Sequence, residues 1–182
     1  MKVKESIISV GEREIIMRSP EPEDAQKMLT YLKTVSEETD YMIRLAEEIT
    51  MPQEQEENYI RDMAENPKRI MIALFSDDRC IGDIGINAVG EQYKLNHRAS
   101  LGIAIVREFW GKGLGKRLMT EGIRFAREAG YERLELGVFM SNERARRLYR
   151  CFGFEECGKI PKAFRLQDGS FEDEILMSMN LK

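Results

Sequence analysis

The segment Leu101–Leu118, LGIAIVREFWGKGLGKRL, restricts the fold more than any other part of this 182-residue chain. Leu101, Ile103 and Ile105 alternate with Gly102 and Ala104 in an almost wholly apolar run, the pattern of a strand covered on both faces. Gly111, Gly113 and Gly115 then remove every other side chain, so that a ligand can touch the backbone. Leu114, Leu118, Gly122, Phe125 and Ala129 recur at helical spacing until Gly130, a residue suited to the position just past a helix. A helix therefore begins inside the glycine loop. Its first amides have no intrahelical acceptor, and Lys112, Lys116 and Arg117 add positive charge beside them, so the favoured guest is phosphate.

Spacing excludes two common phosphate loops. A dinucleotide fingerprint needs glycine at the sixth position from Gly111, where this chain has Lys116. A Walker A loop needs four residues before its Gly-Lys pair and a hydroxyl after it, whereas only three lie between Gly111 and Gly115, and Arg117 follows Lys116. Further on, Leu134, Leu136, Val138 and Met140 alternate with Glu135, Gly137 and Phe139 as a strand, and the chain continues as SNERARRLYRCFGF over Ser141–Phe154. Asn142 and Tyr149 are seven residues apart, two helical turns, and so share a face.

Two motifs in this order resemble the GNAT N-acetyltransferase superfamily. Trp110-Gly111-Lys112-Gly113-Leu114-Gly115 is similar to its acetyl-CoA loop, with Trp110 departing from the usual Gln or Arg. Asn142, Ala145, Leu148, Tyr149, Gly153 and Phe154 resemble its Asn-x-x-Ala-x-x-Leu-Tyr-x-x-x-Gly-Phe segment. The wording Trp-Gly-Lys-Gly looks like the branch holding ribosomal-protein, polyamine and amino-acid acetyltransferases. The resemblance spans roughly residues 12 to 182, weakly before residue 70. It implies a mixed α/β domain with a mostly antiparallel sheet, helices on both faces, and two strands that splay to admit acetyl-CoA. Pantetheine would pair with Ile103, Ala104 and Ile105, and pyrophosphate would sit on Gly111 to Lys116. Asn142 would reach a CoA amide or serve as a helix N-cap, and Tyr149 would act as general acid on the leaving sulfur or pack with Leu148 and Phe152.

The whole chain reads as one domain, with residues 12–70 on the acceptor side and residues 98–160 as the acetyl-CoA core. Runs Val3–Val10 and Glu14–Arg18 around Gly11 suggest a hairpin. Pro22 suits a first helical turn before the stripe Met28, Leu29, Leu32 and Val35, and a second helix is expected to end near Glu65. That second region is acidic, with Glu47, Glu48, Glu54, Glu56, Glu57, Asp62 and Glu65 forming either a solvated face or a lure for a cationic amine. Strands are expected at Arg69–Phe75 and Cys80–Ala88, a turn at Gly90–His97, a strand ending near Lys159, a loop carrying Pro161 and Asp168-Gly-Ser, and a last strand at Phe171–Leu181. Gly82 and Gly85, inside one strand, suit close approach of backbone or ligand.

A net charge of −4 speaks against nucleic acid as the primary partner, and no segment reads as a bilayer span. Three cysteines (Cys80, Cys151, Cys157) have neither disulfide parity nor metal spacing, which suggests a reducing cytoplasm and no metal. A monomer or homodimer is expected.

The general base is left open. Many relatives carry a carboxylate near the position of Ser100, and a serine cannot deprotonate ammonium unaided. His97, the only histidine, has a suitable intrinsic pKa, and Asp83, Glu91 and a water chain are the other choices. The reading is direct attack of a primary amine on acetyl-CoA in a ternary complex, without an acetyl-cysteine. The amine belongs to a small molecule (amino acid, polyamine or antibiotic-like) or a protein N-terminus. Alternatives are a non-catalytic acyl-CoA-binding or sensing module on the same fold, and an anion-binding domain whose glycines are structural.

Overall fold

The computed structural model describes residues 2–182. Eight strands form one sheet in the order β1-β2-β3-β4-β5-β6-β8-β7: β1 (Ser6–Val10), β2 (Arg13–Arg18), β3 (Ile70–Ser76), β4 (Arg79–Ala88), β5 (Arg98–Ile105), β6 (Arg133–Phe139), β7 (Glu155–Arg165) and β8 (Phe171–Asn180). Every neighbouring pair is antiparallel except β5–β6. The helices are α1 (Ala25–Glu38), α2 (Gln53–Glu65), α3 (Leu114–Glu128) and α4 (Glu143–Cys151). The chain therefore folds as one mixed α/β domain.

Alternation along β4 assigns the helices to opposite faces. Ile84 and Ile86 are buried against α3, where the Ile84 terminal methyl would lie 2.7 Å from a Cβ at Gly122, so a larger residue at that helix crossing would force the isoleucine side chains to shift. Asp83, one residue before Ile84 and so on the other face, meets Tyr31 of α1. α1 turns its Met28, Tyr31 and Val35 stripe inwards, and α2 does the same with Glu56, Ile60 and Met63. Burial of these apolar side chains at about 25 cal/mol per Å² holds both helices to the sheet.

The β5–β6 pair opens partway along. Its ladder is confined to Arg98↔Arg133, Ala99↔Leu134 and Ser100↔Glu135, although β5 runs on to Ile105 and β6 to Phe139. At the vertex Arg98 donates two hydrogen bonds of 2.6 Å to Glu135, pinning the strands together just before they separate and holding the Glu135 carboxyl below its ordinary pKa.

Two boundaries differ from expectation. The first strand begins at Ser6 rather than Val3. β7 does not end near Lys159 but continues through Pro161 to Arg165. The edge position explains it: β7 pairs only with β8, so the proline's missing donor costs no second ladder, and a register shift between Ile160 and Phe164, with Lys162 at φ 53°, absorbs the ring.

Candidate active site

On the side of the splay, the glycine loop is an array of unpaired donors. Gly111 and Gly113 have φ of 75° and 81°, and a Cβ on either would meet open space. These conformations are left-handed and turn the amides outward before α3 begins. The amides of Gly111, Lys112, Gly113, Leu114 and Gly115 have no backbone acceptor among the described residues, whereas those of Lys116 and Arg117 both donate to the Gly113 carbonyl. The predicted donor row thus stops at Gly115, and Lys116 contributes its side chain only. Gly115 is needed for a different reason: a Cβ there would lie 3.3 Å from Leu148 of α4. Lys112, Lys116, Arg117, Arg144 and Arg147 have no ion-pair partner among the described residues, while Arg146 and Arg150 are committed to Glu143 and Glu156.

Trp110 ties this loop to the cofactor strand. Its indole N–H donates to the Ile105 carbonyl at 2.6 Å, and the Arg144 guanidinium lies 4.3 Å from its ring centroid. The amide of Val106 donates to Ile81 and that of Val89 to Arg98, so even-numbered residues of β5 turn their backbone towards β4. Ile103 and Ile105 therefore aim theirs into the splay, and Ala104, expected to join them, does not. Asn142 is the N-cap of α4, its Oδ1 accepting from the Ala145 amide at 3.1 Å. That leaves its amide N–H groups uncommitted. Tyr149 is 6% exposed, its ring 5.9 Å from that of Phe154, and its hydroxyl makes no hydrogen bond among the described residues. Burial pushes its pKa up to about 12, so the phenol keeps its proton at neutral pH.

The opposite face of β4 and β5 carries acids. Asp83 is opposite Ala104 in the ladder, and Tyr31, 2% exposed, sets its hydroxyl 2.7 Å from Asp83 Oδ1 and 2.9 Å from the Ala104 carbonyl. One hydroxyl proton cannot serve two acceptors. The hydroxyl donates to the Asp83 carboxylate when that group is ionised, and turns to the Ala104 carbonyl when Asp83 is protonated and donates to Tyr31. Burial pushes the Asp83 pKa up to about 6, partly opposed by the Tyr31 hydroxyl, which favours the carboxylate. The phenol of Tyr31 is itself held well above its ordinary pKa by burial and then by Asp83. Of the acids expected on the second helical region, Glu56 is the one that is buried, 3% exposed. Burial and then Asp83 raise its pKa, against the pull of Arg44.

The base candidates separate clearly. His97 lies before the first residue of β5, in the half where β5 and β6 are still paired, and its carbonyl receives the amides of Glu132 and Arg133. Six residues of strand, about 20 Å, separate it from Ile103. Glu91 is in the exposed turn before β5. Ser100, exposed, pairs with Asn87, and Asp83 occupies the same face two alternate rungs further along. On the face of Ser100, then, the carboxyl belongs to β4 rather than β5. An acid within the apolar Ile81–Ile86 run was its sequence signal, since an ionisable group there is costly without a task. Of the thiols, Cys80 is buried and held above its ordinary pKa by desolvation, while Cys151 and Cys157 are exposed.

Beyond these acids, a cleft of about 670 Å³ opens between the α1–α2 connection and the far ends of β6 and β7, lined among others by Ser36, Met42, Arg44, Phe139 and Phe164. Phe139 stacks on Phe164 at 3.8 Å and meets Tyr41 at 5.8 Å.

The profile of the acetyltransferase (GNAT) family matches residues 32–154, from within α1 to the residue before β7, and so takes in both the loop and Asp83. The chain belongs to the GNAT family. This GNAT protein is accordingly an N-acetyltransferase. The L-amino acid N-acetyltransferase AaaT of Escherichia coli K12 is 27% identical over 117 residues, 64% of this chain and 71% of its own. A Bacillus subtilis 168 protein named as a [ribosomal protein bS18]-alanine N-acetyltransferase is 29% identical over 121 residues, 66% of this chain and 75% of its own. A GNAT acetyltransferase from Streptococcus pneumoniae has a TM-score of 0.87 at 30% identity, covering 92% of this chain and 99% of that one. The yncA protein of Salmonella typhimurium, solved with its cofactor acetyl-CoA, has a TM-score of 0.80 at 15% identity, covering 92% and 94%, a likeness of fold.

Proposed function

We propose that this GNAT protein transfers an acetyl group from acetyl-CoA to a primary amine by direct attack in a ternary complex, with Asp83 as general base and Tyr149 as general acid. The observation that carries the reading is the Asp83 carboxyl, paired with Ala104 of the cofactor strand and hydrogen-bonded by Tyr31, where burial raises its pKa to about 6; Tyr149, whose pKa burial raises to about 12, keeps a proton to give. The residues fit the cofactor. Five adjacent amides free of backbone acceptors suit a pyrophosphate, and the unpaired backbone edge at Ile103 and the amide of Ile105, whose carbonyl is taken by Trp110, suit an extended amide-bearing arm. Bound there, acetyl-CoA supplies an activated acyl group.

Above pH 6 the Asp83 carboxylate takes a proton from the acceptor's ammonium, freeing the nitrogen lone pair for the new C–N bond. Tyr149 gives its hydroxyl proton to the sulfur as the C–S bond breaks, and solvent restores both groups. The Gly111–Gly115 amides, with Lys112, Lys116 and Arg144, hold the phosphates still while Trp110 fixes the end of the strand. Buried Glu56 beside Asp83 favours an acceptor that arrives as a cation.

The names of the relatives point to amino acids and to protein N-termini as acceptors of those proteins, and both classes belong in the test panel. A sensing module without catalysis was suggested by Ser100, and Asp83 on the same face removes that motive. The experiment is amine-dependent release of CoA from acetyl-CoA, followed by chromatography, across amino acids, polyamines, aminoglycosides and N-terminal peptides. Release that falls by about a thousandfold in Asp83→Asn is expected. No release with any amine, or release unchanged in Asp83→Asn, contradicts the reading.

A further inference from the structure

Gly85 of β4 and Gly102 of β5 face each other across the ladder, and a Cβ built on either meets nothing within 4 Å. Neither has a positive φ, so the backbone makes no demand for glycine at these positions. Other glycines nearby are there for packing: a Cβ on Gly82 would press on Ile105 at 2.9 Å, and one on Gly122 on Ile84 at 2.7 Å. Residues 83, 85 and 87 share a face with their partners 104, 102 and 100. The bare rung is therefore a trough on the α1 and α2 side of the sheet, with Asp83 at one end and Asn87 and Ser100 at the other. From Asp83 to Asn87 the strand advances about 13 Å, room for a chain of several methylenes.

α2 brings a second, separate feature to this trough. Glu56 is 3% exposed as a residue, and its carboxyl oxygens, which make no hydrogen bond or ion pair among the described residues, are not among the fully buried atoms without a partner, so they open onto accessible space. It is close enough to act on the charge of Asp83 and of Tyr59, and Tyr59 in turn reaches the Asn87 side chain. The carboxyl of α2 therefore lies within electrostatic reach of the Asp83 end of this run. Its one cationic neighbour, Arg44, is exposed and makes no ion pair with it. A carboxyl held among buried neighbours with its oxygens open to accessible space is placed to receive a cationic ligand.

Resting on the amine-acetylation reading above, we propose that the Gly85–Gly102 rung is a slot for the chain of an unbranched primary alkylamine, and that Glu56 receives its ammonium charge beside Asp83. Side chains at 85 and 102 would fill the slot. An acceptor carrying its own carboxylate would bring a third negative group to Asp83 and Glu56 and is selected against.

The test uses the full chain saturated with CoA and ¹³C-labelled at its carboxyl groups, with the Glu56 and Asp83 signals assigned through Glu56→Gln and Asp83→Asn. n-Butylammonium chloride, sec-butylammonium chloride and 4-aminobutanoate are the probes. n-Butylammonium should shift both signals saturably, and the other two should bind about tenfold more weakly or less. Gly85→Val should weaken n-butylammonium by about tenfold or more while leaving CoA affinity and the thermal midpoint unchanged or higher, because valine suits a strand and meets no neighbour there. Gly102→Val closes the slot from the other wall and should do the same. Absence of any shift in the wild type, or equal shifts in both valine variants, would overturn the slot. Wild-type protein that binds n-butylammonium in this way but releases no CoA from acetyl-CoA with any amine would leave the slot standing and overturn acetyl transfer.

Discussion

In the proposed function, the two sides of the splayed strand recognise their ligands by opposite means. The phosphate side is built from backbone: five consecutive amides of one loop, two glycines held at positive φ and a rim of unpaired cations. The acceptor side is built from side chains that converge from four elements, Tyr31 on α1, Glu56 on α2, Asp83 on β4 and the glycines of β4 and β5, and it is acidic. A backbone cradle accepts any ligand that carries the common phosphate handle. A side-chain cradle is specific, and single substitutions can retune it without touching the other half.

That independence can be broken by mutation in a definite order. Asp83→Asn has the largest expected effect, about a thousandfold loss of kcat at pH 8 with acetyl-CoA affinity unchanged, read by steady-state kinetics and calorimetry. The same change should stabilise the fold. Folding raises the Asp83 pKa, so its contribution to stability is whole below about pH 4 and is lost as pH rises through about 6. Asn escapes that loss, and a gain of roughly 1–3 kcal/mol at neutral pH, shrinking in acid, is expected from urea melts at several pH values. Next, Gly113→Val should weaken acetyl-CoA by about a hundredfold through strain at φ 81°, while the Asp83 titration stays where it was. A moved titration would join the two halves.

Tyr149→Phe should lower kcat by about ten- to a hundredfold and leave acetyl-CoA binding intact. Unchanged kcat would return Tyr149 to packing against Phe154. Tyr31→Phe has the smallest expected effect. The Tyr31 hydroxyl stabilises the Asp83 carboxylate, so removing it should tighten Asp83's hold on its proton by about tenfold and move the acid limb of the rate profile upward. Rates well above that limb should change little.

The physical difference between the halves also decides what the chain reveals before folding. A loop that works through its backbone writes its requirement into adjacent letters, so Gly111, Gly113, Trp110 and the Asn142–Tyr149 pair are readable from spacing. Even there, Lys116 loses its amide to Gly113 and Ala104 turns towards β4, because hydrogen-bond direction depends on register. The acceptor half needs three-dimensional adjacency. Asp83 reaches the site only through the pairing of β4 with β5, Tyr31 only through the docking of α1, and Glu56 looks like its solvated neighbours until α2 turns it inwards. His97 has the right chemistry at the wrong end of the strand. Helix and sheet periodicities carried most of the fold, and β7 escaped them because a proline is tolerated on an edge strand.

The most direct measurement is the pH dependence of kcat/KM for amine-dependent CoA release by the wild-type protein, run beside Asp83→Asn. A rise of activity through about pH 6 that is lost in the Asn variant is the expected result. A wild-type profile flat from pH 5 to 8, or an identical limb in both proteins, would contradict the assignment of Asp83 as the general base.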